Sequence, residues 1–178
     1  MDTWVWIVIA AAAVLILLAI VWMAKRKRRT SHLQEGFGPE YERAVEEAGS
    51  RRKAESELSG REKRREELEI KPLAPGARDR FAERWSGVQE RFVDDPRQAL
   101  NDAHILVVEV MGARGYPTDD FEQRAADVSV DHPEVVENYR SAHEITQRGD
   151  ADTEDQRQAL MHYRALFDEL LETESARR

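Results

Sequence analysis

Residues 4–24, WVWIVIAAAAVLILLAIVWMA, form a run of 21 positions without a charge, a proline or a glycine. A helix is the one regular structure in which such a run satisfies all its backbone polar groups by itself. At about 1.5 Å per residue it reaches roughly 31 Å, against the ~30 Å hydrocarbon core of a bilayer. The run is therefore expected to be a single transmembrane anchor in contact with a lipid bilayer. Trp4 and Trp6 at one end and Trp22 at the other fall where indoles favour the two membrane interfaces.

Charge gives the expected span a direction. Lys25, Arg26, Lys27, Arg28 and Arg29 follow it at once, while the other side holds only Asp2 and the amino terminus. Positive charge stays on the cytoplasmic side, so the expectation is a single-pass protein of the cell's inner membrane, with its N-terminus outside and its remaining domain in the cytoplasm. A cleaved signal peptide would carry its basic residues before the apolar run instead.

Four segments follow from composition: 1–29 as anchor with its basic stop cluster, 30–71 as charged helical spacer, 72–174 as helical bundle and 175–178 as tail. Residues 25–71 carry 14 basic and 11 acidic side chains, while residues 72–178 carry 13 basic and 23 acidic ones. The acidic distal part argues against nucleic acid, whose phosphates need a basic face. The absence of cysteine excludes disulfides, thiolate metal sites and a cysteine nucleophile.

Pro39 is placed as the first residue of a short helix to residue 48, and Ser50 as the cap of a second running to about residue 69. The second is dense in opposite charges four apart (Arg51 and Glu55, Glu57 and Arg61, Arg65 and Glu69), which support a solvated helix. With sparse apolar positions, this region is expected to own no core. Pro72, Pro75 and Gly76 mark a linker.

Beyond it the apolar spacing is helical throughout and nowhere alternates with period two, so the fold class is all-α with about five helices in the distal bundle. Phe81, Trp85, Val88 and Phe92 share one helical face, and Leu100, Ala103, Val107, Val110 and Met111 another, ended by Gly115. Shorter helices are expected over 118–127, with Phe121, Ala125 and Val128 inward, and from Pro133 to 148, with Val136, Tyr139 and His143 aligned. Thr153 and Gln156 have capping-box spacing before a last helix carrying Leu160, Tyr163, Phe167, Leu170 and Leu171.

The stretches FGPEYERAVEE, QERFVDDP, ARGYPTDDFEQRAADVSVDHPEVVENYRSAH and TEDQRQALMHYRALFDEL together resemble an uncharacterised bacterial family of single-pass, membrane-anchored helical proteins. The resemblance spans most of the chain. It implies no activity, cofactor or catalytic residue.

The turn-rich stretch 115–133 gathers Tyr116, Asp119, Asp120, Arg124, Asp131 and His132. It is the candidate recognition surface, because loops on a rigid scaffold often carry function; capping and turn formation account for the same residue types. Asp131 and His132 are adjacent and point apart, and no nucleophile accompanies them. His104, His132, His143 and His162 lack the Glu three residues earlier that bundle metal sites use, and neither HExxH nor a phosphate-binding glycine loop occurs. No cofactor, metal or catalytic residue is assigned. The function expected is a membrane-tethered interaction or scaffolding module with protein partners. The alternative is a regulatory domain binding a small molecule or metal near Tyr116, Arg124, His132 and Tyr139.

Overall fold

A computed structural model describes residues 3–172, with the side chains of Trp4 and of residues 14–172. The expected tail at 175–178 lies outside the described residues. Eight helices and no strand occur among them: α1 (Thr3–Phe37), α2 (Pro39–Ala48), α3 (Arg51–Glu67), α4 (Ala77–Asp94), α5 (Pro96–Arg114), α6 (Phe121–Asp131), α7 (Val136–Gln147) and α8 (Thr153–Glu172).

The expected transmembrane anchor is corrected. Among the described residues, no helix is long and apolar enough to cross a membrane. The apolar run does not form a separate span: α1 continues without a break through Lys25–Arg29 and on to Phe37. Its described apolar side chains, Trp4 and those from Val14 to Ala24, lead directly into the charged Lys25–Arg29 of the same helix. The side chains of residues 5–13, that of Trp6 included, lie outside the described residues. The single-pass inner-membrane placement, with the N-terminus outside and the body in the cytoplasm, rested on the span and falls with it. The interface roles expected of Trp4, Trp6, Trp22 and Lys25, Arg26, Lys27, Arg28 and Arg29 lose the same support.

The distal helices enclose the larger hydrophobic cluster, in which α5 and α8 lie centrally. Trp85 of α4 stacks on Phe167 of α8 with ring centroids 4.6 Å apart. Leu106, Val107, Val110 and Met111 of α5 meet Tyr163, Leu166 and Leu170 of α8, and Val136 and Tyr139 of α7 close the far side. The helix stops follow local chemistry. Asp95 caps α5 by accepting from Gln98 N at 3.1 Å, and Gly115 ends α5 in the left-handed region at φ 96°. A Cβ on Gly115 would collide with the backbone carbonyl of Glu69, because the linker crosses there and Lys71 N donates to Arg114 O at 2.9 Å.

Four boundaries differ from expectation. α6 begins at Phe121 rather than at 118 and continues to Asp131, so Ser129 is a buried helical residue rather than part of a turn. α7 begins at Val136 rather than at Pro133. Asp152 instead of Thr153 caps α8, accepting from Asp155 N at 2.8 Å.

The proximal region, expected to lack a core, has one. Leu33 and Phe37 from the end of α1 are fully enclosed with Tyr41 and Ala44 of α2 and Ala54 and Leu58 of α3. The sparse apolar positions of α2 and α3 suffice because the last turns of α1 add two large apolar side chains, Leu33 and Phe37, to Tyr41 and Leu58. Pairs such as Arg29 with Ser59 and His32 with Glu62 set α1 and α3 side by side, running in the same direction.

Candidate functional site

Part of the charged surface of α3 is turned towards α6. Arg61, Arg64 and Arg65 lie within one turn and reach across to α6: Arg61 Nη1 donates to Ser129 Oγ at 3.2 Å, Arg64 Nε to Asp127 Oδ1 at 2.8 Å, and Arg65 Nε to Asp131 Oδ2. At the head of this seam sits Glu40 of α2, its carboxylate 1% exposed. Arg140 of α7 grips it with two parallel bonds of 2.6 and 2.8 Å, and Arg61 adds a third of 2.6 Å. Burial alone would push the Glu40 carboxyl up; the hydrogen bonds and charge of Arg140, then of Arg61, outweigh it and hold the group below the usual carboxylate range. The two Arg140 bonds tie the distal half to a buried proximal carboxylate that Arg61 also holds from within the proximal half.

The expected recognition residues are divided among separate structural tasks. Tyr116 and Asp131 are brought together, the phenol donating to Oδ2 at 2.6 Å, and Arg65 joins them. Arg124 lies elsewhere, donating from Nε to Tyr139 Oη at 2.8 Å and from Nη1 to Thr118 O at 2.5 Å. Asp120 caps α6 by accepting from Gln123 N at 2.8 Å, and Asp119 is exposed. His132 is enclosed, with Nδ1 3.1 Å from Glu169 Oε1. Burial lowers its pKa, and Glu169 opposes that shift. These six side chains therefore do not present one surface.

The histidines have a similar fate. The ring of His143 stacks on Phe121 at 3.7 Å, and His104 lies 5.7 Å from it beside Tyr139 and Tyr163. Burial holds His104 down at about 4, with Arg124 and His143 adding to the effect, and burial also lowers His143. Both rings thus serve as neutral packing surfaces near pH 7. His143 Nδ1 is buried without a partner among the described residues. Among the described residues no group of three or more His, Cys, Asp or Glu side chains is placed to hold a metal ion.

What remains unpaired is the far end of α1. From Val14 to Met23 every large apolar side chain is more than half exposed, Leu15 reaching 66% and Trp22 62%. Consecutive positions at 100° intervals cover all directions around the axis. Just below, Lys25, Arg26 and Arg29 form a basic collar where α3 begins. This end is rooted in the proximal core by Leu33 and Phe37, 11 residues or more beyond Trp22.

The chain matches no family model, no curated protein and no solved structure.

Proposed function

We propose that the protein is a helical interaction module whose working surface is the apolar end of α1, held out for burial by a protein partner. One observation carries this reading: large apolar side chains from Val14 to Met23 are exposed on all sides of a helix whose base is fully packed. Soluble surfaces rarely keep contiguous apolar patches beyond a few hundred Å² unless something covers them. The rest of the molecule supports the reading by what it commits inward. Arg61, Arg64, Arg65, Arg124 and Arg140, with Glu40, Asp127 and Asp131, are spent on joining helices to one another. The second reading, a ligand site near Tyr116, Arg124, His132 and Tyr139, has little to recommend it, since those side chains are engaged in separate internal bonds.

The test is a photo-crosslinking amino acid placed at Leu18 of the full chain in its native cells, with Arg80 as a surface control. A discrete protein adduct at Leu18 only, lost when Leu15→Glu is added, is the expected result. Adducts confined to lipid, or the same pattern at both positions, overturn the proposal.

A further inference from the structure

The collar below the apolar end encloses a groove of about 530 Å³ between α1 and α3. Four cations line it, Lys25, Arg26 and Arg29 from α1 and Arg52 from α3, against the single carboxylate of Glu55. That carboxylate is already engaged: Thr30 Oγ1 donates to its Oε1 at 2.7 Å and Tyr41 Oη at 3.1 Å.

None of the four cations has an acidic partner among the described residues. Arg29 donates to the neutral Ser59 Oγ at 2.6 Å, and Arg26 lies over the Trp22 ring at 5.5 Å. Lys25 and Arg52 make no hydrogen bond or ion pair with any described residue. Along the same helix, by contrast, Arg61, Arg64 and Arg65 each meet a carboxylate.

The start of α3 adds an independent indication. Its first turn holds Arg51, Arg52 and Lys53 and no acidic residue. The positive end of a helix dipole disfavours cations and favours anions, so this turn is arranged against the local preference of the helix. An anion seated beside it would reverse the sign of that interaction.

We propose that this groove binds a phosphate-bearing anion, with Lys25, Arg26, Arg29 and Arg52 as its ligands. Guanidinium forks match phosphate oxygens in pairs, and several cations around one small volume suit a group carrying more than one negative charge. A nucleic acid is disfavoured, because residues 72–178 carry an excess of acidic side chains and the basic face is confined to the collar. The phosphate can belong to a free ion or to a lipid headgroup, which present the same oxygens. This inference does not depend on the protein partner proposed for the apolar end.

The experiment uses the full chain in neutral detergent. Pyrophosphate is titrated by calorimetry, and co-sedimentation is measured with phosphatidylcholine vesicles with and without phosphatidic acid. Binding of pyrophosphate identifies a free ion; binding only to the acid-containing vesicles identifies a headgroup; either supports the site. The pair Lys25→Gln with Arg52→Gln, which removes no contact to another described residue, is expected to weaken binding by roughly thirtyfold, as the loss of two cations beside an anion implies. The control Lys63→Gln with Arg78→Gln leaves binding and melting temperature unchanged. Binding to neither probe, equal loss in the control pair, or equally tight binding of polyglutamate overturns the proposal.

Discussion

The distal helices are joined to each other by hydrocarbon and to the proximal helices mainly by charge. Around α5 and α8, large side chains such as Trp85, Met111, Tyr163 and Phe167 fill a common interior. Between α3 and α6 the contacts are Arg61 with Ser129, Arg64 with Asp127 and Arg65 with Asp131, with Glu40 clasped by Arg61 and Arg140 beside them. Apolar contact across that boundary is slight, Val130 being a partly buried side chain of α6 packed against the proximal cluster. The proximal unit, which roots α1, is therefore held by interactions that depend on complete pairing. A hydrophobic interior loses stability in proportion to what is removed, whereas a buried ion pair that loses one partner leaves a charge stranded.

The largest effect is expected at Glu40. Glu40→Ala takes from Arg140 both of its hydrogen bonds to a carboxylate and from Arg61 one of its two carboxylate partners, and should cost about 3–5 kcal/mol in urea unfolding. Double replacement of Glu40 and Arg140 by apolar residues of similar size should recover part of that loss; no recovery would break the contrast. In the proximal core, Leu58→Ala is expected to cost about 2–5 kcal/mol. Its fully enclosed position among Leu33, Phe37 and Tyr41 puts it towards the upper part of that range. A cost near that of a surface change would mean that the proximal unit has no core of its own.

Gly115→Ala should cost about 1–3 kcal/mol, from the strain of a side chain at positive φ. The collision with the Glu69 carbonyl adds to that unless the linker shifts. A neutral result would show that the linker does not need its close approach to α5.

Acid should weaken the distal core through its histidines. His104 titrates at about 4 in the folded protein, below its value of 6.5 when unfolded, and His132 and His143 are lowered too. The unfolded chain therefore takes up protons first as pH falls. Stability is fully present above about 6.5 and declines from there towards 4. Melting temperatures measured across this window should fall, and His104→Asn should flatten the upper part of the decline. The smallest effect belongs to the exposed Arg84–Glu109 pair, whose removal should change stability by less than about 1 kcal/mol.

The all-α class was readable because Trp85, Val88, Leu100, Val107, Tyr163 and Phe167 recur at helical spacing. Helix ends were readable where a local signal sets them, as at Gly115, and misread where a tertiary contact does. Ser129 looks like a turn residue, yet it continues α6 because its hydroxyl is buried against Arg61 and its own helix. The arginines of α3 looked like a solvated face for the same reason. Glu57 with Arg61 forms as the spacing implies, but Arg64 and Arg65 turn to partners 63 and 66 positions away. Glu40 meets Arg140 across 100 residues, and no local pattern reports such a pairing. The apolar run at residues 4–24 was plain in the sequence; that its helix continues to Phe37 and plugs a core was hidden in two side chains, Leu33 and Phe37.

Charge, rather than hydrocarbon, fastens the proximal unit to the distal one. Native-state hydrogen exchange followed residue by residue, at low and high salt, tests it most directly. Amides of α2 and α3 are expected to open together at a lower free energy than those of α5 and α8, with high salt widening the gap. Equal opening free energies in all four helices, unmoved by salt, would contradict it.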